Sequence, residues 1–169
     1  MSKKTKIKNH NFEEITEIFR YASSKAASKV LEIYQSDQLI KQIKEDNTPL
    51  TKADIESNRI IIEILKKELR SITKVSEESQ IPDFLDCDEF ILIDPLDGTK
   101  EFLNKNGEFT VNIALVQENH PKIGVIDVPV QETQYYSNGC NSFKFVKNEA
   151  QIINSSKSSE LSIVCSRSH

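Results

Sequence analysis

Hydrophobic residues recur at every third or fourth position along the first part of the chain, which is the spacing of one face of an α-helix. The first such stripe predicts a long amphipathic helix and comprises Phe12, Ile15, Phe19, Ala22, Ala26, Val30 and Ile33. A second helix is predicted over residues 51–69, with Ile55, Ile62, Leu65 and Leu69 facing inward. Between the two helices, the polar residues 44–49 end in a proline and predict a loop or the end of a short hairpin.

After residue 71 the pattern changes to short apolar or alternating runs, which are typical of β-strands. Residues 90–93 predict a buried strand that stops at Asp94 and Pro95, because proline cannot donate to a strand ladder. Further strands are predicted at residues 109–116, 123–128, 133–136, 143–146 and 161–165. Short turns separate most of these strands, so we expect an antiparallel meander. The order of elements therefore predicts an α+β fold, with two N-terminal helices packed on a mostly antiparallel sheet.

The chain has 169 residues and a formal net charge of -4, and none of its apolar stretches approaches the roughly 18 residues of a transmembrane helix. These properties predict one globular domain and exclude nucleic-acid binding through a basic surface. The cysteines, Cys87, Cys140 and Cys165, lack metal-ligand spacing. We expect them to be reduced thiols, which predicts a cytoplasmic location.

Residues 1–10 contain Lys3, Lys4, Lys6 and Lys8 and are not followed by the apolar segment of a signal peptide. They predict a flexible basic tail. The alternative is contact of these lysines with an anionic membrane surface, which would make the protein peripheral on the cytoplasmic side of the inner membrane.

Candidate chemistry lies directly after the first predicted strand, where residues 93–99 read Ile-Asp-Pro-Leu-Asp-Gly-Thr. Magnesium takes oxygen ligands, so Asp94 and Asp97 are candidates to share a metal cluster with the carbonyl of Leu96. Gly98 allows a tight turn and a close approach of the backbone to a ligand. Glu77 lies in an acidic Ser-Glu-Glu-Ser segment upstream and is a candidate for the same pocket. The alternative is an ordinary loop, because Asp-Pro and Asp-Gly are common turn dipeptides.

The same motif resembles a known family. The segment Asp-Pro-Leu-Asp-Gly-Thr at residues 94–99, after an apolar strand and with Ser-Glu-Glu upstream, resembles the lithium-sensitive, magnesium-dependent phosphatases, which include inositol monophosphatase, fructose-1,6-bisphosphatase and the bisphosphate nucleotidases. Within that superfamily the CysQ-type 3'(2'),5'-bisphosphate nucleotidases are most similar to this sequence at residues 94–102 (Asp-Pro-Leu-Asp-Gly-Thr-Lys-Glu-Phe), 106–115, 46–54 and 166–169. The resemblance runs from about Phe12 to His169, nearly the whole chain, and implies that residues 11–169 form the N-terminal half of the inositol monophosphatase/fructose-1,6-bisphosphatase-like sugar phosphatase fold.

The resemblance implies a role for each matching residue, with two or more Mg²⁺ ions as cofactors. Glu77, Asp94 and the Leu96 carbonyl would hold one Mg²⁺, and Asp94 with Asp97 would hold a second. Asp54 and Thr99 would be catalytic, orienting a water molecule and taking its proton. The substrate-binding residues would be Glu77, Asp97, Gly98, Thr99 and Lys100.

Two of these positions, Asp54 and Lys100, also have simpler interpretations, and a third polar residue, Asn112, is open to two. Asp54 follows Thr51 in a pattern that is typical of a helix cap, and from spacing alone the cap is favoured. Lys100 is either a substrate contact or solvated surface. For Asn112, on a predicted strand, we favour a structural role over a role in the site.

The implied reaction is hydrolysis of a small-molecule nucleotide, 3'-phosphoadenosine 5'-phosphate, to AMP and phosphate. The alternatives are an inositol or sugar phosphate phosphatase of the same superfamily, and a non-catalytic remnant that binds metal or a partner chain. Relatives continue into a second α/β domain that carries a Trp-Asp motif, and this sequence has no tryptophan. The absent domain predicts an exposed apolar seam on the sheet and helices, which favours an oligomer or a complementing C-terminal chain.

Overall fold

The computed structural model describes residues 10–36, 41–43, 49–79 and 88–156. The ranges exclude the predicted strand at residues 161–165, residues 1–9 of the predicted basic tail, residues 44–48 of the predicted loop, Cys87 and Cys165. No helix within the described ranges is both long and apolar enough to cross a membrane.

Two helices form where the apolar stripes predict them. Helix α1 spans Phe12–Gln35 and begins at a capping box, in which Asn11 and Glu14 each accept a hydrogen bond from the backbone N–H of the other. Its predicted stripe is buried apart from Phe12, which is partly buried and packs against the core. Helix α2 spans Lys52–Glu68 and packs against α1. These helices confirm the predicted pair to within two residues at their described ends.

One predicted inward position on α2 is wrong. Ile55 is 45% exposed, whereas Ala53, Ser57 and Ile61 are fully buried. Successive residues of an α-helix are rotated by about 100°, so Ile55 lies on the far side from Ala53 and Ser57. The inward face follows small and polar residues at the start of α2 because this end of the helix packs closely against the backbone of the sheet.

The sheet has seven strands in the order β3-β4-β5-β6-β7-β8-β9, and a separate antiparallel pair is formed by β1 and β2. The strands are β1 Lys41–Ile43, β2 Pro49–Thr51, β3 Thr73–Ser76, β4 Glu89–Asp97, β5 Thr110–Gln117, β6 His120–Val128, β7 Thr133–Ser137, β8 Ser142–Val146 and β9 Glu149–Ile153. A short helix, α3 at Thr99–Leu103, follows β4, and a 3-10 turn at Pro129–Gln131 precedes β7. All pairings in the large sheet are antiparallel except that of β3 with β4, so the predicted α+β fold with a mostly antiparallel sheet is confirmed.

In the large sheet one strand prediction needs correction, and two strands were not predicted. The strand predicted to stop at Asp94 continues to Asp97, because a break in register between Asp94 and Asp97 takes Pro95 out of the regular ladder. Strand β3 was not predicted, because its four residues Thr73–Ser76 are too short to show a pattern. Strand β9 was not predicted either, since all five of its residues are exposed and no apolar alternation marks it.

The two faces of the sheet differ in what covers them. Helices α1 and α2 pack on one face, against Ile91 and Ile93 of β4 and the inward residues of β5 and β6. Because side chains alternate along a strand, Leu92 of β4 and Ile126 of β6 point to the opposite face. These two side chains are 47% and 46% exposed. The sheet therefore presents apolar side chains to solvent on its open face, as expected of the predicted seam.

Candidate functional site

Two acidic residues meet because β3 and β4 run parallel. Ser76 at the end of β3 is in register with Ile93 of β4, so the next residues along each strand, Glu77 and Asp94, lie side by side. The backbone N–H of Glu77 donates to the carbonyl of Ile93 at 3.2 Å and holds this arrangement. The carboxyl ends of parallel strands meet at one edge of a sheet, and here that edge carries both carboxylates.

The segment after Asp94 folds into a tight turn. The backbone N–H of Leu96 donates to Oδ1 of Asp94 at 3.2 Å, and the hydroxyl of Ser57 donates to the carbonyl of Pro95 at 2.6 Å. Gly98 has φ of +90°, and a Cβ atom there would lie 2.8 Å from the carbonyl oxygen of Glu108. Only glycine fits this position without strain, which places the start of α3 next to Asp97.

Asp54 links the two elements that carry the site. Its Oδ2 accepts hydrogen bonds from the N–H and the hydroxyl of Thr51, at 2.8 and 2.5 Å, in a capping box at the start of α2. Its Oδ1 accepts from the hydroxyl of Thr99, at 3.2 Å, and that hydroxyl also lies 3.2 Å from the carbonyl oxygen of Leu96. The predicted cap and the predicted proximity to Thr99 therefore both occur, because one carboxylate uses one oxygen for each.

Two carboxylates of the site, Asp94 and Asp54, have pKa values above the ordinary value of an aspartate. Burial raises the pKa of Asp94 to about 7, and the negative charges of Glu77, Asp97 and Asp54 add to this effect. Burial also raises the pKa of Asp54, against the hydrogen bonds from Thr51 and Thr99 that favour its ionised form. The four carboxylates are thus close enough for each of the other three to act on Asp94.

The remaining predicted residues lie at the surface of the same region. Asp97 and Lys100 are exposed, while Gly98 and Thr99 are partly buried at the start of α3. Asn112, for which we favoured a structural role, pairs with Asp94 across β4 and β5, and its Nδ2 donates to Oδ2 of Asp97 at 3.3 Å. A signal for this contact existed in the sequence, since the amide of Asn112 stands between the apolar residues Val111 and Ile113 in the predicted strand 109–116.

The carboxylate and carbonyl oxygens of this region are ligands of the type that a hard cation takes, although the carboxylates do not converge on one point. Among the described residues, no three His, Cys, Asp or Glu side chains form a group that could hold an ion. Yet burial and three neighbouring carboxylates raise the pKa of Asp94, and the Leu96 carbonyl oxygen lies 3.2 Å from the Thr99 hydroxyl that bonds to Asp54. Mg²⁺ takes oxygen ligands, usually one or two carboxylates together with waters and phosphate, so it does not require three converging carboxylates. The residues present therefore fit a magnesium ion.

A cavity of about 550 Å³ lies elsewhere, between α1 and strands β6 to β8. Arg20 crosses it, stacked over the rings of Tyr136 and Phe145, and donates to Gln134. Its other wall includes Asp127, whose pKa is raised by burial. This cavity contains none of the predicted site residues, and its polar groups bond to one another.

The sequence profile of the inositol monophosphatase family matches residues 11–169. The chain belongs to this family. It is 40% identical over 147 residues to the 3'(2'),5'-bisphosphate nucleotidase CysQ of Buchnera aphidicola, covering 83% of this chain and 54% of that protein. The corresponding protein of Salmonella typhimurium is 38% identical over 117 residues, covering 66% and 47%.

Solved structures of the inositol monophosphatase family agree with this assignment. CysQ from Bacteroides thetaiotaomicron, described as a bacterial member of the family, superposes with a TM-score of 0.69 at 38% identity and covers 82% of this chain and 51% of that one. The suhB protein of Bartonella henselae superposes with a TM-score of 0.70 at 26% identity, covering 77% and 51%. The chain thus spans about half the length of the relatives that it matches and corresponds to the N-terminal half of the fold.

Proposed function

We propose that this chain supplies the metal and phosphate site of a magnesium-dependent phosphomonoesterase that hydrolyses 3'-phosphoadenosine 5'-phosphate to AMP and phosphate. The observation that carries the proposal is the partly buried Asp54–Thr99 hydrogen bond beside Asp94, a carboxylate whose pKa is raised by burial and by three other carboxylates. The resemblance to nucleotidases named CysQ, at 34 to 40% identity, supports the choice of substrate.

The carboxylates would form two Mg²⁺ positions, and Asp94 would belong to both. Glu77, Asp94 and the Leu96 carbonyl would hold one Mg²⁺, and Asp94 with Asp97 would hold a second. When bound, Mg²⁺ supplies a lowered pKa for a coordinated water and neutralises charge on the phosphate. Neutralising the mutual repulsion at Asp94 favours its ionised form, which is the form that a cation requires.

Asp54 and Thr99 would together accept the proton that the attacking water releases. The Thr99 hydroxyl donates to Asp54, so its lone pairs are free to accept a hydrogen bond from an attacking water. Thr99 would take the proton of that water while it passes its own hydrogen to Oδ1 of Asp54. Burial raises the pKa of Asp54, which makes it a stronger base than an exposed aspartate. Asp54 is 2% exposed and fixed by the N-cap of α2, so the pair is preorganised rather than assembled on binding.

The phosphate would lie against the turn that Gly98 creates. We propose that the backbone N–H groups of Gly98 and Thr99 donate to phosphate oxygens and that the exposed Lys100 neutralises part of the substrate charge. The absence of a side chain at Gly98 is required for this turn, which leads directly into α3. Glu77 and Asp97 would contact the substrate through the bound metal.

The open face of the sheet would be covered by a second α/β unit that corresponds to the other half of the relatives. Leu92 and Ile126 on this face are exposed, and the chain spans 54% of the Buchnera protein. Addition of the C-terminal half of that protein is expected to increase activity. A Leu92→Lys substitution should abolish the increase if docking uses this face, and an unchanged increase would contradict it.

The function is tested by phosphate release from the purified chain in the presence and absence of Mg²⁺. The substrates are 3'-phosphoadenosine 5'-phosphate and inositol 1-phosphate, and Asp94→Asn is the control. We expect Mg²⁺-dependent release from the nucleotide that is lost in the variant. Preferential release from inositol phosphate would overturn the substrate, and release that does not exceed the Asp94→Asn control would overturn autonomous catalysis by this chain.

A further inference from the structure

Asn112 lies beside the proposed metal ligands and has no assigned role in the proposed reaction. It pairs with Asp94 across β4 and β5, on the open face of the sheet, and is a polar residue in a strand whose inward positions are apolar. Directly opposed residues in an antiparallel pair have Cβ atoms about 4.5–5.5 Å apart, so the two side chains are neighbours. Asn112 thus lies beside one candidate metal ligand.

The amide also contacts a second candidate ligand. Nδ2 of Asn112 donates to Oδ2 of Asp97 at 3.3 Å, across the bulge that separates Asp97 from Asp94. An ionised carboxylate only accepts hydrogen bonds, so this contact fixes which end of the amide faces Asp97. Asp97 is exposed, and a tether on one oxygen restricts the rotamers that its side chain can adopt.

The other end of the amide has no partner in the described part of the chain. Oδ1 of Asn112 is buried and accepts no hydrogen bond there. Leaving a buried acceptor without a donor costs about 1–3 kcal/mol. Such a group in a native structure therefore needs an explanation, and a ligand or a bound water is one of the explanations that chemistry allows.

We propose that Asn112 is a positioning residue of the metal site, an inference that rests on the proposed function. Nδ2 holds Oδ2 of Asp97, which leaves Oδ1 of Asp97 to face the cation. Oδ1 of Asn112 accepts a hydrogen bond from a water in the hydration shell of the cation, since Mg²⁺ usually retains several waters. Residues that orient metal ligands typically change metal affinity by about 10- to 100-fold when they are removed.

The test measures Mn²⁺ binding from the electron paramagnetic resonance signal of the free ion. Mn²⁺ takes the same oxygen ligands as Mg²⁺ and needs no substrate or turnover. Asn112→Ala is expected to weaken Mn²⁺ binding by about 10- to 100-fold. The matched control is Gln117→Ala, which removes an amide–carboxylate bond to Glu89 from the other end of the same strand pair. This control should bind Mn²⁺ like the wild-type chain.

A second variant separates positioning from folding. Asn112→Leu has a similar volume and removes the unpartnered oxygen, so without metal it should be at least as stable to urea as the wild-type chain. It should nevertheless bind Mn²⁺ as weakly as Asn112→Ala. A structural role alone would give the opposite result, with lower stability and unchanged Mn²⁺ binding, and would overturn the inference.

The outcomes for Asn112 and for the proposed function are distinguishable. If both Asn112 variants bind Mn²⁺ like the wild-type chain while Asp94→Asn does not, the positioning role is overturned and the metal site remains. If the wild-type chain itself binds no Mn²⁺, the positioning role and the metal site are both overturned.

Discussion

The Thr99 hydroxyl donates to Oδ1 of Asp54 across 45 positions of the sequence and joins the first residue of α3 to the first turn of α2. The other oxygen of Asp54 is held by the N-cap residue Thr51. The structural cap and the proposed catalytic base are therefore the same side chain, and the geometry of the cap fixes the direction of the base.

Replacing Thr99 by valine tests this pair, because valine keeps the side-chain shape and removes the hydroxyl. The kcat of phosphate release is expected to fall by about 10²-fold or more, as proton transfer loses a positioned group. The free energy of unfolding should fall by only about 1–3 kcal/mol, since one partly buried hydrogen bond is lost. Steady-state kinetics and urea unfolding measure the two effects. Thr99→Ser should retain most of both, and a Thr99→Val enzyme with unchanged kcat would exclude the proposed proton path.

Gly98 is expected to resist substitution for a steric reason. A Cβ atom would approach the carbonyl oxygen of Glu108 to 2.8 Å in a backbone with φ of +90°. Gly98→Ala should therefore destabilise the chain by more than about 1 kcal/mol. The control is Gly124→Ala, because no atom lies within 4 Å of the Cβ that it would add. Equal unfolding midpoints for the two variants would show that the turn relaxes.

Helices α1 and α2 and the antiparallel strands β4 to β8 were predictable because their apolar patterns are strong, as the stripe from Phe12 to Ile33 shows for α1. The parallel strand β3 was not, since four residues carry no period and its partner is set by tertiary pairing. That strand is what brings Glu77 to Asp94, so the sequence indicated the residues of the site but not how they meet. The contacts of Asn112 with Asp94 and Asp97 were not predictable for the same reason: these neighbours lie across the sheet, not along the chain.

The stability of the metal-free chain should depend on pH through Asp94. Its pKa in the folded chain is about 7, against an ordinary value of 3.8, so the folded chain keeps a proton that the unfolded chain has released. The free energy of unfolding therefore falls as pH rises between these two values, by up to about 1.4 kcal/mol per pH unit. Urea unfolding in a metal-chelating buffer measures this slope.

The Asp94→Asn variant isolates the contribution of Asp94 to the pH dependence of the unfolding free energy. Burial also raises the pKa of Asp54 and of Asp127, and both groups remain in the two proteins. The difference between the wild-type chain and the variant therefore reports the titration of Asp94 together with its repulsion by the neighbouring carboxylates. We expect the variant to lose stability less steeply between pH 4 and pH 7. Parallel plots of unfolding free energy against pH for the two proteins would show that the pKa of Asp94 is not raised to about 7.

Ile91 and Leu92 are neighbours in β4 that face opposite sides of the sheet. Ile91 is fully buried against the helices, while Leu92 is 47% exposed. Ile91→Ala should cost about 2–5 kcal/mol of unfolding free energy, and Leu92→Ala much less, because little buried volume is lost on the open face. Chemical denaturation compares the pair directly. Similar losses would mean that the open face is covered in solution by another copy of the chain.

Residues 94–99 are proposed to form a magnesium site. Calorimetric titration of Mg²⁺ into the wild-type chain and into the Asp94→Asn variant tests this proposal most directly. We expect the wild-type chain to bind Mg²⁺ and the variant to bind at least about tenfold more weakly, because removing a carboxylate ligand costs both charge and coordination. Equal binding by the two proteins, or no binding by the wild-type chain, would contradict the account.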